Sequence, residues 1–289
     1  MKNYKLPPPS FNVSPKKDIG GPDGDTIKIE QPLRLVSCDT PEKEKPYGTA
    51  ATTQPKLNKV KQRLQNGFFP LLPKGLVKYF TDRITADAAK RHINAGKDAS
   101  DHFEKIKDQR LNKPDGKRRK VGVLPSGEVI DRNGRMLAYI LPYLEKPLPP
   151  KNDPARKTFN LIMVEDGWAM FFPIWPSLPK DPNDFDVIYS AAKKAWTTKK
   201  GMWHKHGKNL LLPHEYRLLM KLSVEVTSKK TVNDMMSDAF QRLCVDLRSM
   251  KLIGKFDFYK VPPSHRFWIW EKDWNKNKAQ IKNALGVKE

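Results

Sequence analysis

The stretch DGDTIKIEQPLRLVSCDTPE, from Asp23 to Glu42, sets four carboxylates, Asp23, Asp25, Asp39 and Glu42, around one arginine, Arg34. Ile27, Ile29, Leu33 and Leu35 alternate at period two on either side of Gln31-Pro32, which predicts a β-hairpin with the proline at its turn. Two residues apart on extended backbone, Asp23 and Asp25 share a face, and Asp39 ends the strand expected to pair with them. Pro41 cannot donate to a strand ladder and biases Thr40 to extended backbone, so a loop is predicted from about Cys38.

Around this acidic stretch the chain is basic. Its 289 residues are 38% hydrophobic, enough to bury the core of one large domain or two modest ones. With 54 Lys and Arg against 32 Asp and Glu, the formal charge is +22. Such a field attracts polyanions, DNA or RNA first and an anionic membrane second. No apolar run reaches the length of a membrane span, and no basic amphipathic helix carries bulky apolar residues, so no membrane partner is expected. MKNYKLPPPS lacks the apolar stretch of a signal peptide, so a cytoplasmic location is expected of the sequence as it stands, with secretion left open if residues precede Met1. Cys38 and Cys244 are the only cysteines, which excludes a disulfide framework and a thiolate zinc cluster.

The charge is concentrated. Residues 52–120 carry eighteen Lys and Arg against seven acids, and residues 204–289 carry seventeen against nine. These two segments supply nearly all of the excess. Residues 52–120 read as a basic, mostly helical insertion, with helices over Thr49 to Gln65 and Lys74 to Arg110 and a capping pair, Asp101 and Glu104, at a restart of the second. Extended structure is predicted from Arg119 to Leu124, with turns at Pro125-Ser126-Gly127 and at Asn133-Gly134, before an outgoing strand from Met136 to Leu141. Helices are predicted over Phe159 to Met170, Asp184 to Lys200 and Pro213 to Leu222. An aromatic hairpin follows in RLCVDL, DFYKVP and RFWIWEKD.

Hard carboxylate oxygens suit a hard cation such as Ca²⁺, which takes roughly 6–8 oxygen ligands. Hydrolysis of a phosphodiester needs an activated water and positive charge on the non-bridging oxygens. Asp25 and Asp39 can hold the cation, Glu42 can position or activate the water, and Arg34 and Arg135 can clamp the phosphate. Taken singly, a DGD turn is common surface decoration and a lone strand arginine is usually a structural ion pair. The ordered combination from Asp23 to Arg135 is what singles this set out.

That combination resembles the staphylococcal nuclease-like (thermonuclease) family, through DGDT (Asp23 to Thr26), RLVSCDTPE (Arg34 to Glu42), YGTAA (Tyr47 to Ala51), DRNGRMLAYI (Asp131 to Ile140), NLIMVEDGWA (Asn160 to Ala169) and KKGMW (Lys199 to Trp203). The resemblance implies an α+β fold, a five-stranded OB-type β-barrel packed with helices. It also implies Ca²⁺-dependent cleavage of DNA and RNA that leaves 3′-phosphates. By motif position Asp25, Asp39 and the Thr40 carbonyl would ligate calcium, with Asp23 in the outer shell, and Arg34, Glu42 and Arg135 would be catalytic. The expected organisation is a tail over residues 1–22, a catalytic domain over 23–203 that contains the 52–120 insertion, and a basic C-terminal extension over 204–289.

Departures from the family fall at the substrate contacts. Asn133 stands where well-known members have a tyrosine, although Arg132 keeps a basic residue beside it, and Pro173 and Trp175 replace two substrate-contacting tyrosines. Trp175 could stack a base or pack beneath the proline-rich loop. Lys117, Arg118 and Arg119, within KPDGKRRK (Lys113 to Lys120), could track a phosphate backbone or form a solvated loop. His204 and His206 read as linker rather than ligands. A second reading keeps the barrel as a non-catalytic nucleic-acid-binding module, but it does not explain acids placed against a phosphate.

Overall fold

A computed structural model describes residues 4–9, 14–21 and 26–289. Asp23 and Asp25 lie outside the described residues. The chain runs β1 (Lys17–Asp18), β2 (Ile29–Glu30), β3 (Leu33–Leu35), β4 (Ser37–Asp39), α1 (Ala50–Gln65), α2 (Lys74–Arg83), α3 (Ala88–Leu111), β5 (Val121–Ile130), β6 (Met136–Pro142) and α4 (Phe159–Glu165). It continues through β7 (Met170–Phe172), β8 (Ile174–Trp175), α5 (Pro182–Thr197), α6 (Met202–Lys205), α7 (Pro213–Leu222), α8 (Val232–Ala239), β9 (Arg242–Asp246), β10 (Lys251–Gly254), β11 (Arg266–Trp270) and α9 (Glu271–Leu285). The fold is α+β. Its described strands form four small sheets, and no closed barrel appears among the described residues.

The expected hairpin across Gln31-Pro32 does not form. β2 pairs with β1, whereas β3 runs parallel to β6, with Arg34 opposite Leu137. The reason lies in burial: Ile27 is 69% exposed and Ile29 is 47% exposed, so their alternation marks no core face. Ser37 then takes a positive φ of 58°, with its hydroxyl sharing a 2.6 Å hydrogen bond with Tyr139. This kink releases the chain from β6 and lets β4 pair antiparallel with β7, with Asp39 opposite Met170.

Asn160 fastens the junction. Its amide donates to the carbonyls of Val36 (2.9 Å) and Ala138 (3.1 Å), and its oxygen accepts from the Ile140 N–H (3.0 Å). Buried backbone groups need such partners wherever a ladder is broken. Along β5 the predicted turn at Pro125-Ser126-Gly127 is an irregularity within one continuous strand. The turn before β6 is made as expected, with Gly134 at φ +75° and its N–H donating to Asp131.

In the helical region Thr49 caps α1 and Leu57, Val60 and Leu64 form its buried stripe. The break in the second predicted helix falls at Ile84 to Asp87, ahead of α3. Asp101 and Glu104 sit mid-helix, because the apolar face continues unbroken through Ala99 to Ile106.

The C-terminal segment shares its core with the rest of the chain. Leu57, Val60, Leu76 and Phe80 of α1 and α2 pack in one cluster with Tyr216, Leu219 and Trp268. β9 and β11 join in a sheet with β10, and β11 also runs parallel to β8. DFYKVP is not part of this sheet; Phe258 to Lys260 form a short 3-10 turn.

Candidate active site

β3, the Ser37 kink and β4 bring Arg34 back against Asp39, where Arg34 Nη2 donates to Asp39 Oδ1 at 3.0 Å. The Asp39 side chain is only 4% exposed. Past buried Pro41, Glu42 lies beside it on the loop that leaves the strand.

Two features of α3 hold this loop. Gly96 packs so closely that a Cβ there would lie 2.5 Å from the Glu42 carbonyl oxygen and 2.7 Å from that of Pro41. His92, fully buried, accepts the Glu42 N–H on Nε2 at 2.9 Å and donates from Nδ1 to the Leu211 carbonyl, also at 2.9 Å. Those partners assign its tautomer. The ring stacks on Tyr216 at 3.8 Å and 6°. Burial, with the Arg217 charge adding to it, pushes the His92 pKa down to about 3, so the ring is neutral at physiological pH.

The group that closes the site comes from the far end of the chain. Arg217 on α7 donates from Nη1 to Glu42 Oε1 at 2.6 Å and to Asp39 Oδ1 at 3.3 Å, and from Nη2 to Asp39 Oδ2. Such forked, charge-assisted contacts are the strong class of hydrogen bond. Burial alone would raise the Asp39 pKa, but Arg217 and then Arg34 outweigh it and hold the carboxyl below its usual range. Burial would likewise lower Arg217, and Asp39 and Glu42 outweigh it and raise it.

The helix that carries Arg217 is anchored on all sides. Pro213 opens α7, and Glu215 accepts the Leu212 N–H at 3.1 Å. The other oxygen of buried Glu215 takes the buried Arg266 at 3.0 Å and the Tyr79 hydroxyl at 2.7 Å. Tyr216, Leu219 and Leu222 are fully buried.

More positive charge surrounds the pair. Arg242 lies near Arg217, Asp39, Arg34 and Arg132, and burial together with Arg217 lowers its pKa to about 9. Its guanidinium stacks 4.1 Å from the Trp270 ring centre, and its buried Nε has no hydrogen-bond partner among the described residues. Lys221 is held below its usual pKa by burial and then by Arg242 and Arg132.

The remaining expected residues make other contacts. Arg135 is held on its own hairpin, with Nε and Nη2 on Asp131 Oδ2 at 3.0 and 2.7 Å; no ion pair joins it to Asp39 or Glu42 among the described residues. Arg132 is exposed beside it. Trp175 is 4% exposed and packs in the second core, so it offers no face to a base; β11 covers it by pairing with β8. Lys117 and Arg118 are exposed on a turn, where Arg118 pairs with Asp108 at 3.1 Å and Lys117 lies 4.0 Å from Asp115; Arg119 is half-buried. His206 pairs with Asp98 at 2.7 Å, as a structural contact.

Of the expected calcium ligands the structure describes Asp39 and Thr40, and arginine takes up the Asp39 carboxylate. Both Asp39 oxygens already accept from guanidinium groups, and no cluster of three or more His, Cys, Asp or Glu that could hold a metal exists among the described residues. A dication about 4 Å from the Arg217 charge would be repelled by about 8 kcal/mol at an effective dielectric of about 20. Thr40 is exposed, and its carbonyl is the one other expected ligand that the structure describes.

Arg217, His92 and Arg242 were not singled out in the sequence. The available signal was slight: an arginine between Tyr216 and Leu218 in a predicted helix, and a histidine four residues before a helical glycine.

Residues 85–205 match the family model described as staphylococcal nuclease homologue, and over that stretch the chain is similar to that family. The match runs from just ahead of α3 through α6. It includes His92, Gly96 and Arg135, whereas Arg34, Asp39, Glu42 and Arg217 lie outside it. No curated protein matches the chain.

Proposed function

We propose that this chain hydrolyses phosphodiester bonds of DNA or RNA at the site built from Arg34, Asp39, Glu42 and Arg217. The observation that carries this reading is the pair of carboxylates gripped by one guanidinium, with a second guanidinium on the buried member. In this reading Glu42 takes the proton from the attacking water. Arg34 and Arg217 present N–H groups to the non-bridging oxygens, where charge develops. Arg135, oriented by Asp131, adds a phosphate clamp from the β5–β6 turn. An OB-type arrangement belongs to the same reading, with the β3–β6–β5 sheet and the β4–β7 pair joined through Asn160.

Calcium is the cofactor that the family resemblance implies. The resemblance would place it on Asp25, Asp39 and Thr40 beside the phosphate, a position that the Arg217 guanidinium fills at Asp39, and the 3′-phosphate product rests on the same resemblance. Arg217 already supplies positive charge at Asp39, so each step above rests on this chain's own residues.

A second reading, a non-catalytic nucleic-acid-binding module, is favoured by the surplus of Arg242, Arg132 and Lys221 around a neutralised carboxylate pair. Incubation of purified protein with labelled DNA and RNA, with and without Ca²⁺, separates the two. Cleavage that Glu42→Gln lowers by about 10²–10⁴-fold while binding persists is the expected result. Binding without cleavage in every condition refutes the nuclease reading.

A further inference from the structure

We infer that the Arg217 guanidinium permanently occupies the cation position of this site, so that Asp39 and Glu42 form an arginine-held carboxylate pair that takes no divalent cation. This deepens the proposed reading by naming what stands where a metal is expected.

Three observations converge on it. The first is occupancy: Arg217 reaches both oxygens of Asp39 and one of Glu42, and Arg34 takes a further bond on Asp39. The guanidinium thus bridges two acids, as a shared metal ion would.

The second is that Arg217 sits on no lid. Its neighbours Tyr216 and Leu219 are fully buried in the larger core, Glu215 is locked to Arg266 and Tyr79, and His92 ties the Glu42 backbone to Leu211 just ahead of α7. The backbone that presents the guanidinium is therefore fixed by that core.

The third is the sign of the surroundings. Among the described residues, Arg34, Arg217, Arg242, Arg132 and Lys221 gather about Asp39 and Glu42, with Asp238 beside Lys221, and the buried Arg242 Nε has no hydrogen-bond partner. A cluster of this kind attracts a phosphate group and repels a dication. Carboxylates here orient arginine donors for an anion, whereas a calcium site needs carboxylate oxygens left open.

Calorimetric titration of the full chain with CaCl₂, beside Asp39→Asn and Arg217→Met, tests the assignment without using cleavage. The unmutated protein should show no Asp39-dependent binding up to roughly 10 mM, above the ~10⁻³ M range of the weakest protein sites. Arg217→Met, which keeps an unbranched apolar stem, should acquire binding that Arg217→Met/Asp39→Asn loses. Saturable binding in the unmutated protein that Asp39→Asn abolishes overturns the inference. So does a folded Arg217→Met protein, checked by circular dichroism, that binds no more Ca²⁺ than its parent. If nucleic acid is never cleaved, the nuclease reading falls, and the calcium titration still decides this one.

Discussion

Acidification should act on this protein through His92. The ring is fully buried, with one nitrogen accepting from Glu42 and the other donating to Leu211, and its pKa in the folded chain is about 3 against an ordinary 6.5. Above pH 6.5 both the folded and unfolded states hold it neutral, so it carries no penalty. As pH falls below 6.5 the unfolded chain binds a proton that the folded chain refuses, and stability declines at about 1.4 kcal/mol per pH unit until the folded pKa is approached. Between pH 7 and pH 5 the loss comes to about 2 kcal/mol. His92→Gln keeps an amide donor and acceptor but does not titrate. Urea unfolding of both proteins at pH 7, 6 and 5 isolates the effect, since other titrating groups cancel in the difference. The stability advantage of the unmutated protein should shrink by about 2 kcal/mol across that range. A difference that stays constant refutes the claim that His92 is held neutral between Glu42 and Leu211.

Gly96→Ala should destabilise, although alanine favours a helix interior over glycine by about 1 kcal/mol, because its Cβ meets the Pro41 and Glu42 carbonyls. A net loss of about 1–3 kcal/mol is expected in thermal unfolding, together with weaker cleavage, and a raised Tm would contradict the packing described. Asn160→Ala strips partners from Val36, Ala138 and Ile140, and should cost about 3–5 kcal/mol by urea titration. Amide exchange at Ile140 should rise well ahead of exchange in α7, and uniform exchange would argue against a local staple.

Local chemistry in the sequence carried much of the architecture. The helices expected over Thr49 to Gln65 and Pro213 to Leu222 fall almost to the residue on α1 and α7, where Thr49 caps and Leu57, Val60 and Leu64 form the buried stripe, and Gly134 placed the turn before β6. These succeed because caps, apolar periodicity and positive φ act over a few neighbouring residues. The clustering of Arg34, Asp39 and Glu42 was legible for the same reason, since one strand and its exit loop carry all three.

What only tertiary structure decided is which strands pair and what faces the carboxylates. The alternation of Ile27 and Ile29 looks the same whether it meets a core or solvent, and the choice of β6 over β2 as partner for β3 depends on residues a hundred positions away. Trp175 reads equally well as a stacking platform or a core residue until β11 covers it. Arg217 is the sharpest case. Little within the helix Pro213–Leu222 distinguishes its guanidinium from a solvated one, because its meaning comes from Asp39 and Glu42, brought to it by a core that joins α1 and α2 to the C-terminal segment.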